Sequence, residues 1–160
     1  MDTRLLILDI NGVLCCKIAN QVVLRPDYKE FLSFCFDNFT VAFFSSTTYK
    51  NANAIINKLL SSEQRSKVAF FWYRDRTRKD HEMGGYSTIK NLIDVFDNPV
   101  INKENKYNKY NTLICDDSPT KLRFNDEQNV IIVQEFKGDK EDQVLHNMIK
   151  EISSRFEELI

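Results

Sequence analysis

The sequence is short of the features that mark secreted, zinc-binding or membrane proteins. It has only 4 cysteines, Cys15, Cys16, Cys35 and Cys115, with no C-x-x-C spacing, and its 2 histidines, His81 and His146, lie far from them in sequence. That pattern argues against a zinc site and, at this length, against a disulfide scaffold; it predicts free thiols in a reducing compartment. Neither sign of charge is in excess: 22 Lys and Arg face 23 Asp and Glu, for a formal net charge of -1. A bulk electrostatic drive toward nucleic acid or a membrane surface is therefore absent. No apolar run approaches the roughly 20 residues that a bilayer span requires. The opening Met1-Asp2-Thr3-Arg4, with Asp9 soon after, is too short and too soon charged for a signal peptide. The closing Phe156-Glu157-Glu158-Leu159-Ile160 carries no lipidation or retention signal. The expectation is an intracellular protein, nuclear or cytoplasmic, with no membrane partner. Glycine is also scarce, at 4, which assigns no function, and there is no internal repeat.

What is present reads as one domain over residues 1–160. Leu5-Leu6-Ile7-Leu8 is a continuous apolar run that ends in Asp9, the signature of a parallel strand buried on both faces. Further strands are predicted at 21–24, 40–44, 68–73, 112–115 and 130–133. Helices are predicted from Pro26 to about Asp37, and over 49–60, 87–96 and 139–156, each with apolar residues on one face. Residues 74–86, charged and containing Gly84-Gly85, read as a loop, and 100–111, rich in Asn and Lys, as a surface loop. Short apolar strands alternating with helices predict an α/β fold with three layers and a five-stranded, mainly parallel sheet.

In such a sheet, sites form beyond the carboxyl ends of the strands. Asp9, Ser45 and the pair Asp116-Asp117 all follow apolar runs, and Lys90 is expected early in the helix after the charged loop. Carboxylates that converge repel one another unless a cation joins them, and an oxygen-only ligand set suits Mg²⁺. Plainer roles exist for each. Asp9 can end a strand, Ser45 to Thr48 or Asp116-Asp117 can cap a helix, and Lys90 can be a solvated helix lysine. Arg74, Arg76, Arg78 and Lys79, after Trp72-Tyr73, read first as a solvated loop broken by Asp75 and Asp80, and second as an anion-binding lip. Cys15, Cys16 and Cys35 read as packing residues and the two histidines as surface residues.

The ordered set of segments resembles the haloacid dehalogenase superfamily. Within it, the resemblance is to the branch of RNA polymerase II C-terminal-domain phosphatases and small nuclear, NLI-interacting-factor-like phosphatases. Leu5-Leu6-Ile7-Leu8-Asp9-Ile10-Asn11-Gly12-Val13-Leu14 looks like the first motif, and Leu24-Arg25-Pro26 with Glu30-Phe31-Leu32 looks like the segment that follows it. Phe43-Phe44-Ser45-Ser46, Lys90-Asn91-Leu92 and Leu113-Ile114-Cys115-Asp116-Asp117-Ser118-Pro119 match the second, third and fourth. The resemblance covers residues 3 to 150 and implies a Rossmann-like fold with a minimal cap or none, limited to 74–86 and 15–24. It also implies roles. Asp9 attacks phosphorus to form an aspartyl-phosphate. Asp9, the Asn11 carbonyl and Asp117 hold Mg²⁺, with Asp116 supporting them. Ser45 and Lys90 hold the phosphoryl oxygens.

One residue departs from the pattern. Active phosphatases of this kind usually carry Asp two places after the nucleophile, to protonate the leaving group and then activate water; here the residue is Asn11. An amide donates hydrogen bonds but does not shuttle protons at neutral pH, and losing such help costs roughly 10²–10⁴ in rate. A version with Asn recurs in some members. Two function classes follow: a weakened Mg²⁺-dependent phosphomonoesterase acting on phosphoserine or phosphothreonine in protein, or a catalytically inert phosphatase-fold module that binds a phosphorylated or acidic partner. An uncovered site favours a phosphorylated protein segment. Nucleic acid ranks behind it and requires the 74–79 basic residues to line the site mouth.

Overall fold

The computed structural model describes residues 3–159, so the chain's first two residues and Ile160, part of the termini read above for leader and sorting signals, lie outside the described residues. The chain runs β1 (Leu5–Leu8), β2 (Cys15–Ile18), β3 (Gln21–Leu24), α1 (Tyr28–Asn38), β4 (Thr40–Phe44), α2 (Tyr49–Leu59), α3 (Ser62–Lys67), β5 (Phe71–Trp72), β6 (Arg78–Lys79), β7 (Thr88–Ile89), α4 (Ile93–Phe96), β8 (Thr112–Asp116), α5 (Pro119–Leu122), β9 (Val130–Ile132) and α6 (Val144–Glu157). Five strands form one sheet in the order β5-β4-β1-β8-β9, and every neighbouring pair is parallel.

β1 is central, with Leu5–Leu8 in register with Thr40–Phe43 on one side and Thr112–Cys115 on the other. All four of its residues are fully buried. Strand alternation divides them between two cores. Leu6 and Leu8 join Val41, Phe43, Leu113 and Cys115 against α1, α2 and α6; Leu5 and Ile7 join Ala42, Phe44 and Ile114 against Leu92, Val95, Tyr107 and Leu122. Each fully buried aliphatic side chain contributes about 1.5–3 kcal/mol, so a one-residue slip of β1 is heavily disfavoured. The expected three-layer α/β architecture is thus present, and its sheet is parallel throughout.

Four local expectations need correction. The segment 87–96 is not one helix: Thr88 and Ile89 pair antiparallel with Lys79 and Arg78, and only Ile93–Phe96 is helical. Lys90 therefore sits between a strand and a helix. Its N–H donates to the Lys121 carbonyl, and its own carbonyl accepts from Asn125 Nδ2, so both backbone groups bond across the fold rather than along a helix. The strand expected over 68–73 shrinks to Phe71–Trp72, preceded by α3, whose start is a reciprocal Ser61–Gln64 capping box. The terminal helix begins at Val144 rather than 139. Residues 15–24 form the antiparallel hairpin β2–β3, of which only the second strand was expected. This hairpin and the β6–β7 pair stand outside the five-stranded sheet.

Candidate active site

Three strand ends converge on one cleft of about 350 Å³, lined by Asp9, Asn11, Ser45, Ser46, Thr47, Arg74, Asp117, Ser118 and Lys121. Parallel strands point all their carboxyl ends one way, so the residues after β1, β4 and β8 must meet. Asp9 follows β1, Ser45 follows β4, and Asp116 ends β8 with Asp117 next. Lys90 lies beneath this floor, 1% exposed. Its Nζ donates to Asp116 Oδ2 at 2.5 Å and to the Phe44 carbonyl at 2.8 Å, and stands 3.1 Å from Asp9 Oδ1. Asp116 is fully buried, and its other oxygen accepts the Ser118 N–H at 2.9 Å. All six residues expected at the site are thus brought together, with Lys90 and Asp116 as its buried underside.

The charges are crowded. Ligand oxygens of Asp9, Asp116 and Asp117 all lie within 4.8 Å of one another. Burial raises the Asp9 pKa; Lys90 opposes this, but the Asp116 and Asp117 charges add to the rise, and the carboxyl reaches about 8. Asp117 is pushed up to about 6 by burial and then by Asp116. Burial alone would lower the Lys90 pKa; Asp9 and Asp116 reverse that and hold it above the usual lysine value. Three carboxylates with one lysine leave an excess of negative charge when all are ionised. The donors are hard oxygens throughout, the chemistry that Mg²⁺ takes.

The turn after Asp9 is built for close approach. Gly12 has φ +87°, and a Cβ there would fall 2.6 Å from the Asp117 Cγ, so only glycine admits the carboxylate. The turn's hydrogen bonds use the carbonyls of Ile10, Gly12 and Cys15 and leave that of Asn11 out. The Asn11 side chain accepts a weak bond from the Cys15 thiol, with Sγ 3.5 Å from Oδ1.

Several contributors were not singled out by the sequence reading. Arg25 is fully buried and acts as a clamp. Its Nε and Nη2 grip both oxygens of Asp142 at 2.8 and 2.9 Å, while Nη1 donates to the Gly12 and Val13 carbonyls at 3.3 and 3.2 Å. Arg25 stood in a segment marked only by resemblance; Asp142, 117 residues away in sequence, gave no signal. Asn125 holds the Lys90 segment, accepting the Leu92 N–H at 2.8 Å and donating to the Lys90 carbonyl at 2.9 Å. Ser45 Oγ accepts the Thr47 N–H at 3.2 Å, closing a local turn, and the residue lines the cleft; the N-cap of α2 is Thr48, which makes no side-chain capping bond. The Ser46 hydroxyl oxygen is buried with no hydrogen-bond partner, although the residue lines the cleft. The basic loop divides: Arg78 pairs with Asp94 at 2.6 Å and Arg76 lies over Trp72, while Arg74 reaches the cleft. The cysteines expected as packing residues are free; Cys15, Cys35 and Cys115 are buried and Cys16 is half-buried.

Comparison with known proteins bears on the family and the fold. The family described as NLI interacting factor-like phosphatase matches residues 4–158. A Schizosaccharomyces pombe protein described as an uncharacterized FCP1 homology domain-containing protein is 31% identical over 137 residues, covering 75% of this chain and 56% of its own. The structure of Fcp1, an essential RNA polymerase II CTD phosphatase, superposes with a TM-score of 0.60 at 12% identity, covering 95% of this chain and 48% of that one. A fission-yeast Fcp1 variant bound to beryllium fluoride gives 0.59 at 13% identity, covering 96% and 50%. These structures share the fold, and the chain spans about half the length of the relatives it matches.

Proposed function

The chain belongs to the NLI interacting factor-like phosphatase family, and from that premise we propose that it is a Mg²⁺-dependent phosphomonoesterase of low activity that works through an aspartyl-phosphate. Its proposed substrate class is phosphoserine or phosphothreonine in a protein segment. The observation that carries this reading is the cluster of Asp9, Asp116 and Asp117 over Lys90 at the carboxyl ends of β1 and β8. Fcp1, an RNA polymerase II CTD phosphatase with which the chain shares its fold, supports a phosphoprotein as partner. No helix among the described residues is long and apolar enough to cross a membrane; the proposed setting is the nucleus or cytoplasm.

In this reading Asp9, Asp117 and the Asn11 carbonyl hold Mg²⁺, and Asp116, with its oxygens engaged by Lys90 and the Ser118 N–H, steadies them. When bound, Mg²⁺ supplies positive charge against the carboxylates and the phosphoryl oxygens. Asp9 is the nucleophile: it attacks phosphorus as the ester P–O bond breaks, and water later hydrolyses the acyl phosphate. Ser45 donates to the phosphoryl oxygens, while Lys90 fixes the aim of Asp9 and offsets the charge beneath it. Asn11 donates a hydrogen bond but no proton, so the leaving oxygen departs nearly unprotonated. An aryl phosphate tolerates that; a serine phosphate, with its strongly basic alkoxide, tolerates it poorly.

Turnover of both substrate types by the wild type and by Asn11→Asp tests this. The substitution should raise the phosphopeptide rate more than the aryl phosphate rate, by up to about 100-fold, the lower end of what general acid–base catalysis supplies. Brisk phosphopeptide turnover by the wild type would show that another group delivers the proton. If Asn11→Asp gains nothing while Mg²⁺ binds, the second reading leads: an inert module that binds a phosphorylated or acidic partner, which Asn11 itself favours.

A further inference from the structure

Beside the reaction cleft lies a second, of about 330 Å³, lined by Arg74, Thr77, Lys79, Gly85, Tyr86, Ser87 and Thr88. Arg74 lines both clefts, and Lys121, which lines the first, donates from Nζ to the Thr88 hydroxyl of the second at 3.3 Å. The two clefts are therefore continuous through a pair of cations. Ion pairing here is selective. Arg78 is taken by Asp94, and Arg123 by Asp80 and Glu82. Among the described residues, Arg74, Lys79 and Lys121 have no carboxylate partner within ion-pair distance. Arg74 is nonetheless held, donating to the Tyr86 carbonyl at 3.0 Å with its guanidinium 5.9 Å from that ring's centre. A positioned guanidinium with donors to spare, flanked by two ammonium groups, is a receptor for an oxyanion.

The other flank of the reaction cleft differs. The concavity there is lined by Asn11, Gly12, Cys16, Lys17, Asp117, Glu135 and Phe136, so its one lysine is matched by carboxylates. Anion affinity thus lies on one side only. A nucleic-acid strand repeats its phosphates in both directions and would run into Glu135; a peptide with an anionic residue on one side of its phosphorylated residue would not. Building on the phosphatase reading, we propose that Arg74, Lys79 and Lys121 form a second anion subsite, and that the preferred substrate is a protein segment carrying another phosphorylated or acidic side chain beside the phosphate to be removed.

The test is calorimetric binding to the full chain, using peptides with one phosphoserine and neutral flanks, the same peptides with a second phosphoserine or a glutamate one to three residues away, and a single-stranded RNA oligonucleotide. The second anion should tighten binding by about five- to tenfold at low salt, the sum of a few solvent-screened ion pairs. Arg74→Gln with Lys79→Gln should erase that gain. Glutamate matching phosphoserine would assign the subsite to acidic sequence in general; only phosphoserine gaining would assign it to clustered phosphorylation. Equal affinity for all peptides, or a gain that survives the double substitution, would overturn the subsite. RNA binding tighter than any peptide and weakened by the same substitutions would overturn the peptide assignment. Because binding is read without turnover, a preference in a protein that hydrolyses nothing would sink the phosphatase reading and leave the subsite standing.

Discussion

Replacing Gly12 with alanine should separate the stability of the fold from the occupancy of the proposed metal site. The residue has φ +87°, and for an L-residue the left-handed region costs about 1–2 kcal/mol. In a chain of this size each kcal/mol moves the melting temperature by about 2–4 °C, so a loss of about 2–8 °C is expected in EDTA. The new Cβ would also press on the Asp117 carboxylate, 2.6 Å from Cγ. That side chain can swing aside, which relieves the clash and moves the carboxylate away from Asp9. The larger penalty therefore falls on metal binding. With Mg²⁺ at about a hundred times its dissociation constant, the wild type should gain about 2.7 kcal/mol, or roughly 5–11 °C; the variant should lose most of that gain. Gly138→Ala is the control: φ there is +101° and its Cβ would meet Ile18, not a carboxylate. It should melt lower yet keep the full Mg²⁺ response. Scanning calorimetry of the three proteins with EDTA and with Mg²⁺ decides the matter. If Gly12→Ala keeps the wild-type Mg²⁺ rise, Asp117 is not a ligand and the site is wrongly built.

Three other outcomes are expected. Lys90→Met leaves Asp9 and Asp116 buried without their shared cation and should destabilise the metal-free protein by about 3–5 kcal/mol in urea titrations at pH 8; wild-type stability there would show that Lys90 does not hold the carboxylates. The metal-free protein should lose stability as pH rises from 5 to 8. The folded pKa of Asp9, about 8, lies above the unfolded value of 3.8, so in that window the folded state binds more protons, and its advantage fades as pH climbs to the folded pKa. A melting temperature in EDTA that is flat or rising over that range would contradict the buried, crowded carboxyl. Arg25→Lys keeps a charge but loses the fork that grips Asp142 and the Gly12 and Val13 carbonyls together. Hydrogen exchange should quicken at residues 11–14 as well as 139–143; a change confined to 139–143 would show that Arg25 does not position the turn.

The central strands were legible in the sequence because both their faces are buried. Leu5–Leu8, Thr40–Phe44 and Thr112–Asp116 are apolar from end to end or nearly so, a pattern that needs no knowledge of partners. Polar residues directly after such strands then had to meet, which made Asp9, Ser45, Asp116 and Asp117 readable as one constellation. What failed to show depends on partners distant in sequence. Ile89, Leu92, Ile93 and Phe96 have helical spacing, yet Thr88-Ile89 gains more by pairing with Arg78-Lys79, and Asn125 holds the Lys90 segment. Asp142 looked like part of a helix start because nothing local says that Arg25 claims it. Arg74, Arg76 and Arg78 read alike in sequence; only the fold assigns one to a cleft, one to a tryptophan face and one to Asp94.

The position of β1 at the middle of the sheet bears on how the protein is made. β1 precedes both of its neighbours in the chain, gains Thr40–Phe44 as one neighbour early, and then waits for Thr112–Asp116 to emerge before its other edge is covered. The turn that carries Asn11 and Gly12 waits longer still, for Phe136, whose N–H donates to the Gly12 carbonyl at 2.8 Å, and for Asp142, which anchors Arg25. A nascent chain halted after β8 would hold the carboxylates near one another around an unfinished turn, with loop-closure entropy opposing the missing contacts. The turn beside Asp9 should therefore reach its final form only after residues 136–142 have emerged.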